Sequence, residues 1–275
     1  MSKSEVVAAE KSSQVVAVAG LEQISDDVLG EISGLEGVGL SDSVEDRGTP
    51  LLYIAQKNSR QVNKRAPEYI DGLEAGMAFN NLTGKFYDAE GDGVDVYVCF
   101  FKPVWIEWTP VDAGGGFHGI YDRDHEIART GRQREGRSDI IDLPNGHELV
   151  LTHQYYAVLA DSMQPIVIPM SSSNLKASQK LQNLIGERKA QTSSGRVVTL
   201  PAYFTKFKIK TVYSENEKGD WFRMVVQAAG PVEDPSVREF CKQFALACQR
   251  NEVDVAQPID NTPLDSVVPD DDIPV

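Results

Sequence analysis

The sequence predicts a mostly β protein with added helices, an α+β fold carried between two acidic arms. Three observations lead there. Apolar residues alternate with polar ones through several long runs, which is the period of a half-buried strand. Two later stretches place apolar residues at helical spacing behind N-capping residues. The acidic side chains crowd the ends of the chain: residues 1–46 hold ten acids and two bases, and residues 251–275 hold seven acids and no base. Residues 47–250 keep 24 acids and 25 bases, so the formal net charge of -14 belongs to the arms. We therefore divide the 275 residues into a flexible acidic N-terminal arm (1–47), one folded domain (48–250) and a disordered acidic tail (251–275).

In chain order, Ile24–Ile32 has the pattern of a short helix, and folded structure begins near Thr49 with the apolar run PLLYIAQ. Asn81–Gly84 reads as a turn closing a hairpin between Ala78–Phe79 and Lys85–Tyr87. Val94–Trp108 is the most strand-like run, with Val94, Val96, Val98 and Phe100 on one face and Tyr97, Phe101 and Trp105 on the other; Pro103 marks an edge or a bulge. Residues 109–146 form a long connection with three consecutive glycines and five arginines, including Arg132 and Arg134, and are expected to act as a basic flap. Glu148–Ala160 and Gln164–Met170 are two more strands. Ser173–Lys189 is a helix with serines available for its cap, bearing Leu175, Leu181, Leu184 and Ile185. A last helix starts at Asp234 and Pro235, with Val237, Phe240, Cys241, Phe244 and Cys248 inward. The three cysteines fit neither a disulfide set nor a zinc motif and read as buried thiols.

The stretch with the clearest chemistry is Tyr203–Ala228, which alternates, breaks at a polar turn and resumes. As a β-hairpin it puts Tyr203, Phe207, Ile209 and Tyr213 on one face and Phe204, Lys206, Lys208 and Lys210 on the other. Lysines on a solvent face protect a strand edge from aggregation. Three like charges at two-residue spacing also repel one another, and an anion laid across them relieves that repulsion. Residues 176–210 hold eight bases against one acid, a local basic zone in an acidic protein. A nucleic-acid backbone fits such a row, and unpaired bases stack on nearby aromatics. Strands, then a helix, then a hairpin is also the order of an OB-fold barrel, whose groove takes single strands. The expected contacts are Lys206, Lys208, Lys210, Arg223, Arg132 and Arg134 to phosphates, and Tyr97, Phe101, Trp105, Phe204 and Trp221 to bases.

The end of the chain, Asp270, Asp271, Asp272, Ile273, Pro274 and Val275, resembles the acidic tip of bacterial single-stranded DNA-binding proteins, which ends in DDDIP and an aromatic residue. Several phage single-stranded DNA-binding proteins are similar, with an OB-fold followed by an acidic tail. The resemblance implies that Asp270–Asp272 meet basic side chains of replication or recombination proteins while Ile273 and Pro274 fill an apolar pocket. Val275 departs from the pattern, standing where the family has the aromatic residue. A tethered acidic tail also competes with DNA for a basic groove.

Other classes find less support. No apolar run reaches the roughly 18 residues of a membrane helix, and the first residues lack the build of a secretory signal, so a cytoplasmic protein (host cytoplasm if viral) without membrane partners is expected. Neither GK[ST], GxGxxG nor GxSxG occurs, and no cofactor or resident metal is expected. Asp122, Asp124, His125 and His118 are the residues a metal-dependent nuclease would use, at a spacing that matches no motif. A viral assembly protein with acidic arms would explain the arms but not the lysine row. Self-association into a homo-oligomer is compatible with the composition.

Overall fold

The computed structural model describes residues 25–35, 38–39, 48–110, 113–217 and 219–258. The tail tip Asp270–Val275 and most of the N-terminal arm lie outside the described residues.

In chain order the elements are α1 (Asp26–Ile32), β1 (Leu52–Ile54), β2 (Ala78–Asn80), β3 (Phe86–Tyr87), β4 (Val94–Trp108), β5 (Phe117–Asp122), β6 (Arg132–Gln133), β7 (Ile140–Asp142), β8 (Glu148–Leu159), β9 (Pro165–Ser171), α2 (Leu175–Glu187), β10 (Lys189–Gln191), β11 (Val197–Thr199), β12 (Thr205–Asn216), β13 (Gly219–Pro231) and α3 (Pro235–Gln249). The fold is mostly β with helices, built on a curled half-barrel sheet. Its strand order is β13-β12-β4-β8-β7-β6, with β5 added to β4 and β9 to β8. β1, β2 and β3 make a small antiparallel sheet, the hairpin expected around Asn81–Gly84 included.

β4 is the spine because it is long enough for two partners on one edge. Its start pairs with β12 (Lys206↔Tyr97, Lys208↔Asp95) and its end with β5, while β8 runs along the whole opposite edge. The register against β8 shifts between Val98 and Phe100. This bulge, upstream of Pro103, corrects the expected faces. Val94, Val96 and Val98 share the main core with Phe101, whereas Phe100 turns to the side of Tyr156 and Cys248.

The two faces of the sheet are covered by different helices. Ala177 and Leu181 of α2 enter the main core with Phe207, Ile209, Tyr155, Ile166 and Ile168. Val237 and Cys241 of α3 pack on Cys99 and Val158 of the other face, beside Tyr97 and Tyr203. All three cysteines are buried free thiols, and burial pushes Cys248 up to about 12. Phe240, expected inward, is exposed on α3.

Helix starts obey local chemistry only in part. Asp234 caps α3, accepting from the Ser236 backbone N–H at 2.8 Å, with Pro235 in the first turn. At α2 the N-cap is Asn174 rather than a serine, and its Oδ1 accepts from the Met224 backbone N–H at 2.7 Å instead of capping the helix. Gln56 meets both backbone groups of Phe222 on the same edge of β13. Side chains thus occupy an edge where a further strand would pair.

The chain stays on the fold past Arg250, where composition alone starts the tail. Thr49 donates its N–H to Asp254, Ala256 donates to Thr49, and Ala256 is buried beside Leu51, Tyr156 and Val167. Residues 251–258 therefore close the bottom of the β9 side of the sheet next to β1.

Candidate nucleic-acid interface

The hairpin register decides which side chains share a face. Lys208 lies opposite Gln227, Lys210 opposite Val225, Val212 opposite Arg223 and Ser214 opposite Trp221. Phe207 and Ile209 point into the core. Because side chains alternate, Lys206, Lys208, Lys210, Arg223 and Trp221 all stand on the outer face, the side on which α3 packs. Tyr97 adjoins Lys206 on that face, half-buried beside α3.

The lysine row carries an internal counter-ion. Asp95 on β4 sits 2.9 Å from Lys208 Nζ and 3.2 Å from Lys206 Nζ, and Lys208 also donates to the Asp92 backbone carbonyl at 2.8 Å. Burial of Asp95 works against its ionisation, but Lys208 and Lys206 outweigh it and hold the carboxyl below the usual range. The like-charge repulsion inferred from spacing is thus relieved in part within the protein. Among the described residues Lys210 has no ion pair. Arg223, which is exposed, donates Nε to Ser214 Oγ at 2.9 Å.

Gly93 sets the fit of the row. Its φ is +78°, and a Cβ there would meet the Cγ atoms of Lys208 at 2.8 Å and Lys210 at 2.9 Å. Glycine at this point lets both lysine stems pass close over the backbone just before β4.

The remaining expected contacts are dispersed. Phe204 packs with Tyr203 and lies under the Arg238 guanidinium, 5.5 Å from its centroid. Phe101 is on the opposite side, against His153 and Tyr155. Trp105 is buried with Leu143 and Leu149 and donates Nε1 to the Arg123 carbonyl, so it has no free face for a base. Arg132 is exposed on β6, but Arg134 is tied to Asp142 and Glu148. The expected flap is in fact strands β5, β6 and β7, with the buried pair Arg137–Asp139 at 2.8 Å. Nor do the eight bases of 176–210 form one patch, because α2, with its exposed Lys176 and Lys180, covers the face opposite the lysine row.

A second polar cluster, missed in the sequence, lies at the other end of β4. Glu107 is buried; its Oε1 accepts from His147 Nδ1 at 2.7 Å and Asn145 Nδ2 at 3.3 Å, and its Oε2 accepts from the Tyr121 hydroxyl at 2.7 Å. Burial raises the cost of its charge, and these three donors outweigh that cost and hold the carboxyl below the usual range. His118 stacks on His147 with centroids 3.9 Å apart and planes at 12°, and its Nε2 meets Thr109 Oγ1 at 2.7 Å. The signal lay in a glutamate inside an apolar strand, whose partners are 14 and 40 residues away. Among the described residues no group of three His, Cys, Asp or Glu side chains is placed to hold a metal, and His118, Asp122, Asp124 and His125 form no such group.

Fold and site together define a helix-flanked, curled β-sheet protein with a basic outer hairpin face. The chain belongs to the Pam3 phage gp34-like protein family, whose model matches residues 20–254. No curated protein and no solved structure matches it. Among the described residues no helix is long and apolar enough to cross a membrane.

Proposed function

We propose that this phage-family protein binds single-stranded DNA without sequence preference, through the outer face of the β12–β13 hairpin. The observation that carries the reading is the cross-strand register that gathers Lys206, Lys208, Lys210, Arg223 and Trp221 on one face. Lys210 and Arg223 supply the least neutralised charges, and a phosphate backbone is the polyanion that such a row accepts at any base sequence. Trp221 and the margins of Tyr97 and Phe204 offer stacking surface, worth about 1–3 kcal/mol per base when fully engaged. We read the curled sheet, with α2 inserted between β9 and the hairpin strands, as an elaborated OB-like barrel. The protein would act in phage DNA replication or recombination in the host cytoplasm, without enzymatic activity of its own.

In this reading the tail has two roles. Its tip, Asp270–Val275, recruits a replication or recombination protein. Its carboxylates also compete for the lysine face: the 17 residues after Pro258 can reach roughly 55 Å when extended, ample to cross a domain of this size.

Fluorescence anisotropy of a labelled oligothymidine across a salt series tests both parts, comparing the full chain, the chain ending at Pro258 and the double variant Lys210→Ala, Arg223→Ala. The expected result is salt-sensitive binding, tighter after truncation, and a shallower salt slope in the double variant by about 1–2. An unchanged slope would remove the hairpin from the site. Absence of binding at low salt in every form would overturn the reading and favour an assembly role.

A further inference from the structure

We propose that the exposed side of α2 and the β10–β11 arm form a second nucleic-acid surface, which takes the phosphate backbone of duplex DNA. The inference does not rest on the lysine-row reading, because the two surfaces share no residue. Ala177 and Leu181 of α2 are buried with Phe207 and Ile209, the inward residues of the strand whose outward side chains form the row. The two basic faces thus lie back to back across β12.

Residues 176–196 carry five bases, Lys176, Lys180, Arg188, Lys189 and Arg196, against one acid, Glu187. All five bases are exposed. Lys176 and Lys180 lie one turn apart on α2, where like charges repel, and Arg188 and Lys189 follow directly at the helix end. Arg134 and Arg137 are each held by acids; among the described residues Lys180, Arg188, Lys189 and Arg196 are not.

Arg196 is presented by a closed hairpin. The Thr192 N–H donates to the Arg196 carbonyl at 2.9 Å, the Gly195 N–H to the Thr192 carbonyl at 2.9 Å, and the Arg196 N–H to Thr192 Oγ1 at 3.1 Å. Gly195 turns the chain with φ +84°. The Leu200 N–H donates to the Arg188 carbonyl at 2.8 Å and ties the base of the arm to the end of α2. β10 and β11 pair with each other and join neither larger sheet, and residues 191–197 are all exposed.

The chemistry of this surface separates it from a protein interface and from a single-strand site. Its bases are interspersed with exposed Gln179, Asn183, Thr192 and Ser194, side-chain types that hydrogen-bond phosphate oxygens. Val197 is the one large apolar side chain exposed in the stretch, whereas a protein interface is anchored by clusters of such groups. Residues 175–200 contain no Phe, Tyr or Trp, so no platform there selects unpaired bases. What remains is charge. A duplex carries one negative charge per about 1.7 Å of its axis, a single strand one per about 3.4 Å, so a surface that reads charge alone favours the duplex.

Fluorescence anisotropy of a labelled blunt-ended duplex in a salt series tests this. It compares the full chain, the fourfold variant Lys180→Ala, Arg188→Ala, Lys189→Ala, Arg196→Ala, and the double variant Lys210→Ala, Arg223→Ala. The full chain is expected to bind the duplex, and saturating unlabelled oligothymidine should not displace it. The fourfold variant should bind the duplex at least about tenfold more weakly, with a salt slope shallower by about 2–4, while its oligothymidine affinity and urea midpoint stay unchanged. The double variant should keep its duplex binding. Displacement of the duplex by oligothymidine would reduce the two surfaces to one and overturn the inference, as would equal duplex binding by the fourfold variant or no duplex binding at low salt. Duplex binding that is lost in the fourfold variant, in a chain that binds no oligothymidine, would support this surface and overturn the single-strand reading alone.

Discussion

Asp95 on β4 stands between Lys206 and Lys208 of the neighbouring strand, within 3.2 Å of both ammonium groups. The acid that prevents the row from repelling itself also lowers the charge the row can offer. As a partly exposed cluster, it contributes about 0–1 kcal/mol per pair to stability. Replacing it should therefore cost little stability and change binding more. Asp95→Asn is expected to tighten oligothymidine binding and to steepen the salt slope by about 1–2, as two lysines become free to release counter-ions. A slope unchanged within error in a salt titration would mean that Lys206 and Lys208 do not contact DNA.

Gly93 makes a separate prediction about the same face. Gly93→Ala needs a side chain at φ +78° and drives its Cβ to within 2.9 Å of both lysine stems. The expected cost is about 1–3 kcal/mol, measured by urea unfolding. Binding should weaken as well, because the lysine stems must move away from residue 93.

Past Arg250, stability and DNA binding should separate. A chain ending at Arg250 loses the Thr49 backbone pairing and buried Ala256, whereas one ending at Pro258 keeps them. The shorter chain is expected to melt several degrees below the longer one, a loss of about 1–2 kcal/mol. Equal melting temperatures would show that residues 251–258 add nothing to the fold.

Glu107 predicts part of the acid limb of stability. Its folded carboxyl titrates below the ordinary glutamate value, so its contribution is fully present above about pH 4.3 and is lost as pH falls through the lower folded value. Glu107→Gln should be less stable than the natural chain at pH 7 and should show a flatter decline between pH 5 and 3. Urea midpoints at pH 7, 5, 4 and 3 measure this, and parallel curves would refute it.

Element by element, the local signals were reliable where one segment contained the whole cause. Asp234 with Pro235 starts α3 because the cap and the first turn are contiguous. The alternation of Thr205–Thr211 places Phe207 and Ile209 inward because a period of two needs no distant partner. The same logic failed at Phe100 and Phe101, because a bulge is a property of two strands in register and Pro103 was the visible but wrong marker.

The sequence by itself determined the strand-rich core, the helix ends set by capping, the thiol burial and the outward lysine row, since each follows from periodicity and local hydrogen bonding. The tertiary structure decided what those residues meet. It set Asp95 among the lysines, put α2 and its bases on the opposite face, buried Trp105, tied Arg134 and Arg137 to acids, and brought Glu107, His118 and His147 together. Charge pairing and burial depend on which strands become neighbours, and that choice is made by register and packing across distances in the chain that no local pattern records.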